Sequence, residues 1–308
     1  MITKVILLKR YKKWILESIV DESAQALGTF PKKVFVPLSK RELIYLSSIR
    51  GVISSRKVSN SLLIGYETFH SIKSKSKIDF QTCNLYFTHP NRDIDFEQIK
   101  LFRKILVMNH EDKNWMSKAG VDESKIHVVY GAVDEKIFWK KTKSNDTKPH
   151  FVLIVSDCKP RKNPELILEL IAQLPSTNFV IHGKGWLNGY RDKMASLENL
   201  KYFEFDFGRQ PELMRDATVF LSLSKLEGGP YPLIEAMASG TFVVSTSVGF
   251  APDLINPSNG VLLPVDCPLE FVADVVTKSM EMVISSDVIT RLPFNLSWKK
   301  LGAALFGS

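Results

Sequence analysis

Short runs of β-branched and aromatic residues alternate along the chain with stretches whose apolar residues recur every three to four positions. That alternation predicts an α/β protein with mainly parallel sheets. In the first part, strands are expected at Lys4–Leu8, Lys33–Pro37, Ser61–Gly65, Asn84–Thr88, Lys104–Met108 and His127–Tyr130. In the second part they are expected at Phe151–Ser156, Asn178–His182, Lys201–Phe205, Thr218–Leu223, Thr241–Ser245 and Val261–Pro264. Helices are expected between the second set at Pro164–Leu174, Tyr190–Leu197, Pro211–Arg215, Leu233–Ser239 and Leu269–Met282, with a last one from Ser297 onward. This is the pattern of two doubly wound domains, whose ligands bind outside the carboxyl ends of the strands. Two such domains facing each other would form a cleft, a common place for a ligand.

A polar stretch, Lys140 to Pro149, has no apolar periodicity and reads as the linker between them. The expected division is residues 1–145, residues 150–283, and a tail, 284–308, packing back toward the first domain. With 308 residues and 44% apolar composition, each part can bury a sizeable core. No apolar run approaches the ~18–20 residues of a membrane span. The run Val5–Leu8 is too short for a signal-peptide core. Cys83, Cys158 and Cys267 are scattered and lack metal-ligand spacing, so a protein of the reducing cytosol is expected. The charge is uneven: up to Lys77 there are 15 Lys or Arg against 5 Asp or Glu, within a whole-chain net of +8. Such asymmetry suggests an anionic partner, with an anionic membrane surface ahead of nucleic acid because no nucleic-acid-binding motif accompanies the charge.

The densest chemistry lies in Glu227-Gly228-Gly229-Pro230-Tyr231-Pro232-Leu233-Ile234-Glu235-Ala236-Met237-Ala238-Ser239-Gly240. Two carboxylates stand eight residues apart, one in a glycine-rich loop and one in the first turn of a helix. Pro232 suits the first helical position, and Leu233, Ile234 and Met237 form the apolar face. A glycine loop entering a helix can present backbone N–H groups to an anion. A carboxylate held beside it can accept both hydroxyls of a diol. Phosphate plus sugar hydroxyls, read together, describe a nucleotide-sugar.

Upstream, Ser156 to Pro164 places Lys159, Arg161 and Lys162 immediately before a helix, a set of cations suited to a diphosphate. Phe179-Val180-Ile181-His182-Gly183-Lys184-Gly185 ends a strand with two glycines but fails as a dinucleotide fingerprint, being one residue too long before Gly189.

The fourteen-residue segment resembles the E-G-x-x-x-x-x-x-E-A-x-A-x-G region of retaining glycosyltransferases of the GT-B fold, family 4, and meets every fixed position. The resemblance spans about Val107 to Leu305 and is strongest from Phe151 to Val265. It implies two facing Rossmann-like domains with an interdomain cleft. It also implies that Glu235 bonds the nucleotide ribose, that Glu227 lies near the donor sugar, and that amides from Gly228, Gly229, Pro230 and Tyr231 contribute contacts to sugar and phosphate. Lys162 falls at the family's phosphate-binding Lys, and Gly183 in its strand-end loop. The family's phosphate-binding Arg is replaced by Asp157, so either Lys159 or Arg161 stands in for it or the register differs. Phe205-Asp206-Phe207-Gly208 falls where the family contacts the nucleobase. His89, after Asn84–Thr88, matches a functional histidine near the donor sugar, with His70 and His110 as weaker candidates. Gly131-Ala132-Val133-Asp134 matches the turn that closes the family's first domain.

The expected activity is transfer, with retention, of a sugar from a nucleoside diphosphate donor to a hydroxyl acceptor, in surface polysaccharide or glycolipid synthesis of the bacterial type. Lys162 would stabilise the leaving diphosphate, with Glu227 and His89 as the other catalytic residues. No cofactor and no metal are implied beyond the co-substrate; Asp93-Ile94-Asp95 resembles a metal motif of the other glycosyltransferase fold and falls in the wrong domain context. The acceptor would be a glycan or lipid-linked glycan, with the protein cytoplasmic or at the cytosolic membrane face. The competing readings are a non-catalytic nucleotide-sugar-binding subunit of a larger transferase and a sugar-nucleotide epimerase of the same shape. A two-carboxylate glycosidase would leave the phosphate-type features unexplained.

Overall fold

A computed structural model of the chain describes residues 2–8, 15–36, 58–70, 78–88, 94–139, 150–286, 292–293 and 295–307. It divides into two units, residues 1–132 with 296–308, and residues 133–295. All twelve expected strands are present, in two parallel six-stranded sheets.

In the first unit the strands are β1 (Lys4–Leu8), β2 (Lys32–Val36), β3 (Ser61–Ile64), β4 (Asn84–Phe87), β5 (Lys104–Val107) and β6 (Ile126–Val128). Their order is β2-β1-β3-β4-β5-β6. The central strands β3 and β4 are buried throughout, as expected for a parallel sheet covered on both faces. The helices described here are α1 (Ile15–Leu27), α2 (Tyr66–His70), α3 (Phe96–Ile99) and α4 (His110–Lys118). Asn109 caps α4 by accepting from the Asp112 N–H at 2.7 Å, satisfying one of the free N–H groups at the helix start.

The second unit carries β7 (Val152–Val155), β8 (Phe179–His182), β9 (Leu200–Phe203), β10 (Val219–Ser222), β11 (Phe242–Thr246) and β12 (Gly260–Leu263). Interleaved are α5 (Pro164–Gln173), α6 (Arg191–Ala195), α7 (Gln210–Asp216), α8 (Tyr231–Ala238), α9 (Ala251–Leu254) and α10 (Leu269–Ser286). The final helix, α11 (Trp298–Phe306), returns to the first unit and packs on α1. Gly302 permits the approach, since a Cβ there would lie 2.4 Å from the Ser23 carbonyl oxygen.

The second sheet runs β12-β11-β10-β7-β8-β9. Its strand order reverses between β7 and β10, which are hydrogen-bonded neighbours. In sheets of this kind ligands are held outside the carboxyl ends of the strands at such a reversal.

The helix of the main motif differs from its expected form. It begins at Tyr231, with Pro230 as its cap and Pro232 in its second position, so Glu235 sits beyond the first turn. Leu233, Ile234, Ala236 and Met237 are fully buried, as the apolar face requires. The end of α8 explains the motif's last glycine. Gly240 takes φ 80° while its N–H bonds the Met237 carbonyl, and the Thr241 N–H bonds Ala236, the Schellman pattern.

Candidate functional site

Loops from the carboxyl ends of neighbouring strands in the second unit are stitched together by backbone contacts. After β7 the chain makes a 3₁₀ turn, Pro160–Lys162, and passes through Asn163 at φ 58° into α5. Asn is among the few residues that adopt this left-handed conformation readily, and Pro164 then starts the helix at fixed φ. The turn is anchored to the loop after β10: Lys225 N–H donates to the Arg161 carbonyl at 2.8 Å, and the Arg161 guanidinium donates to the Leu226 carbonyl at 3.1 Å. Thr246, ending β11, donates its hydroxyl to the Ser224 carbonyl at 2.6 Å.

This stitching brings three charges together. Glu227 is nearly buried, and its carboxylate receives Lys162 Nζ on one oxygen and Arg161 NH1 on the other, the latter at 2.7 Å. Burial pushes the Glu227 carboxyl up, but the charges of Lys162 and Arg161 and their hydrogen bonds outweigh it and hold the group below the usual range. Glu227 therefore stays ionised at neutral pH, and two cations against one carboxylate leave the cluster with one net positive charge.

Glu235 has the opposite environment. It is 7% exposed, its carboxylate accepts from Gln210 Nε2, and burial pushes its pKa up to about 8 despite that hydrogen bond. Gln210 opens α7 and is buried itself. The two carboxyls of the motif, eight residues apart, are thus tuned in opposite directions by their neighbours.

The other expected site residues fall as follows. Lys159 stands apart from the cluster, its amine 3.5 Å from Asp157. Asp157 accepts from the Lys184 backbone N–H at 3.2 Å, so its carboxylate braces the loop after β8. Arg161 is the cation that shares Glu227 with Lys162. Gly183 is held by packing, because a Cβ there would lie 1.8 Å from the Ser156 carbonyl oxygen. Neither Gly228 nor Gly229 takes a positive φ. Instead Gly249, at φ 58°, packs behind them, where a Cβ would lie 2.7 Å from the Gly228 carbonyl oxygen. Pro230 and Tyr231 form the cap and first residue of α8.

His89 lies outside the described residues, two positions beyond the end of β4. So do the polar stretch 140–149 and most of the basic residues of the first part; Lys4, Lys32 and Lys33 are described. Lys33 is paired with Glu17 at 2.7 Å and Asp21 at 3.0 Å, so its charge is used within the fold. His110 Nδ1 lies 3.1 Å from the Tyr130 hydroxyl. His70 lies in α2, and its side chain is outside the described set. Among the described residues no group of three or more His, Cys, Asp or Glu is placed to hold a metal ion, and no helix is long and apolar enough to cross a membrane.

Two residues escaped the sequence reading. Gln210 has no motif of its own, and only the fold carries it to Glu235. His182, fully buried at the end of β8, accepts from the Asp206 N–H at 2.9 Å and stacks on Phe205 with ring centroids 5.1 Å apart. Burial lowers its pKa, so it is neutral and fixes the Phe205–Gly208 loop without adding charge.

The fold is that of GT-B glycosyltransferases. Solved structures of Anabaena HepE in complex with UDP and of sucrose-phosphate synthase from Thermosynechococcus elongatus superpose with TM-scores of 0.65 and 0.68. Each covers 99% of this chain and 95% of its own, at 13% identity. Residues 135–281, most of the second unit, match the family model described as Glycosyl transferases group 1. A curated relative from Arabidopsis thaliana, named as one subunit of phosphatidylinositol N-acetylglucosaminyltransferase, is 22% identical over 281 residues. That match covers 83% of this chain and 61% of the relative, so the chain spans about three fifths of the relative's length.

Proposed function

We propose that this protein is a retaining glycosyltransferase that moves a sugar from a nucleoside diphosphate donor to a hydroxyl acceptor. The observation that carries the reading is the clamp of Lys162 and Arg161 on Glu227 above the β7–β10 switch point, with the buried Glu235 eight residues further on. A diphosphate entering here meets two cations already oriented by Glu227, Lys162 largely shielded and Arg161 open to solvent. The Glu235 carboxyl accepts the ribose diol, and the start of α8 together with the Gly228–Gly229 loop lies against the phosphate and sugar. As charge builds on the departing diphosphate, Lys162 and Arg161 shift their interaction from Glu227 to it, and little reorganisation is needed.

Glu227 acts here by positioning. A carboxylate held low by two cations is a weak base and a weak nucleophile, so its contribution is to orient the cations and the donor sugar. Asp157 plays no part in phosphate binding, and Lys159 stays at the margin. His89 is the remaining candidate for a contact to the donor sugar. A lipid-linked acceptor, in glycolipid or surface polysaccharide synthesis at the cytosolic membrane face, is supported by the basic first part and by the lipid named in the Arabidopsis relative.

The test is thermal stabilisation by UDP, GDP, ADP, CMP and their common sugar conjugates, for the wild type and Glu235→Ala. A nucleotide at 100 times its Kd adds about 2.7 kcal/mol. Stabilisation by one nucleotide family, lost in the variant, is expected; no stabilisation by any would overturn the reading. The anomeric configuration of the product, followed by NMR, then tests retention.

One observation favours a second reading, a nucleotide-sugar-binding subunit of a larger transferase. The chain matches about three fifths of a relative whose own name makes it one component of an assembly. Donor binding without turnover, with transfer restored by a partner, would support it.

A further inference from the structure

Gln210 and Glu235 form a pair that the proposed activity leaves only partly explained. Both side chains are more than nine-tenths buried. Gln210 Nε2 donates to Glu235, while Gln210 Oε1 is buried with no hydrogen-bond partner among the described residues. A buried amide oxygen left unmatched is costly and calls for a role.

Among the described residues, the surroundings of Glu235 are neutral. It lies on α8, which packs against α7, β10 and β11. The two strands, Val219–Ser222 and Phe242–Thr246, carry no ionisable side chain. From α7 come Glu212, Arg215 and Asp216, preceded by Arg209, and on α8 itself the Tyr231 phenol; none of them shifts Glu235 by its charge. The next carboxylate of the motif, Glu227, is neutralised by its own cations. A carboxyl in such a place favours its acid form, whose O–H needs an acceptor. The Gln210 carbonyl oxygen is the acceptor at hand once the amide turns by half a rotation. An amide is the side chain that can serve both forms, as a donor to the carboxylate and as an acceptor from the acid.

We propose that Gln210 is a positioning residue that lets Glu235 exchange its proton for a ribose diol, so that nucleotide binding at this site releases one proton. The step balances simply. The carboxyl O–H bond breaks, its proton passes to bulk water, and the carboxylate so formed accepts the two ligand hydroxyls, with Gln210 Nε2 as a third donor. This inference rests on the nucleotide-binding role proposed above for Glu235. It predicts that affinity for a diol-bearing nucleotide climbs with pH through the neutral range and levels off above it. An elevated carboxyl pKa of about 8 sets the end of that climb.

The experiment is calorimetric titration of the full chain with UDP and with 2′,3′-dideoxy-UDP, in buffers of different ionisation enthalpy from pH 6 to pH 9. GDP and ADP are run in the same pairs. Subtracting the dideoxy analogue cancels protons lost by the terminal phosphate. The expected result at pH 7 is release of close to one proton with the diol and none with the dideoxy form. In Gln210→Leu the acid form persists to higher pH, so the midpoint of the affinity–pH curve moves upward. Affinity at pH 7 then falls roughly tenfold for each unit of that displacement and recovers toward pH 9. A role confined to packing would lower affinity equally at every pH. UDP binding with the same proton count as its dideoxy analogue would overturn the inference and leave the nucleotide reading standing. Binding by none of the three nucleotides would overturn both. The wild-type pair decides the matter even if Gln210→Leu fails to fold.

Discussion

Lys162 Nζ rests on Glu227 Oε1 and joins the loop after β7 to the loop after β10, with Arg161 on the second carboxylate oxygen. Three charges from two loops are thereby pre-oriented, with Lys162 largely shielded from water and Arg161 still exposed. The pairing makes Glu227 a structural tie between the two loops.

Lys162→Met leaves a buried carboxylate with Arg161 alone. The expected loss of stability is about 3 kcal/mol, with sugar transfer reduced by roughly a hundredfold or more. Adding Glu227→Gln recovers most of the stability, because the uncompensated charge is gone, and recovers none of the transfer. Chemical denaturation and initial rates on the four proteins of this cycle check both statements.

Glu235→Gln separates binding from stability. The Glu235 carboxyl lies at about 8, against 4.5 for the free side chain. Between those values the folded protein holds a proton that the unfolded chain has released. Its contribution is therefore most favourable below about pH 4.5, declines as pH rises through the window, and levels off above about pH 8. The variant is expected to melt above the wild type at pH 9 and close to it at pH 4.5, while binding nucleotides poorly at both. Melting curves across pH test the sign.

Asp157 accepts from the Lys184 backbone N–H on one oxygen and lies 3.5 Å from the Lys159 amine on the other, so both oxygens are engaged within the loops. Asp157→Asn retains the acceptor oxygen and is expected to change the Kd for a nucleoside diphosphate by less than about twofold. A carboxylate pointing at the phosphates would instead give a marked gain in affinity on neutralisation, since a like charge at close range costs on the order of 1 kcal/mol or more. Titration of both proteins at two salt concentrations distinguishes the cases.

Gly249→Ala combines a positive φ with a Cβ pressed against the Gly228 carbonyl. A cost of about 1–3 kcal/mol is expected. Because the displaced atoms belong to the loop that starts at Glu227, the donor KM is expected to rise more than that of the acceptor. Steady-state kinetics with each substrate varied in turn provide the check.

Much of this was legible in the chain. The strand runs of the second unit are nearly continuous in β-branched and aromatic residues, so periodicity and the flanking turns located β7 to β12 directly. Glu227, Glu235 and Lys162 announced themselves by a dense local motif. The expected start of α8 falls two residues late, because Pro232 is tolerated equally at the first or second helical position, where its missing N–H costs nothing.

Local sequence decided where strands and helices form, because hydrophobic period, proline and glycine act within a few residues of one another. It also determined which residue types stand at the carboxyl ends of the strands. Tertiary structure alone decided that Arg161, rather than Lys159, joins Lys162 on Glu227, since that choice depends on how the loop after β7 is hydrogen-bonded to the loop after β10. It alone brought Gln210 to Glu235 across 25 residues of chain, with no cation beside them among the described residues, which is why two glutamates of one motif hold opposite protonation tendencies. Charge and desolvation act through space, and the spacing along the chain does not encode them.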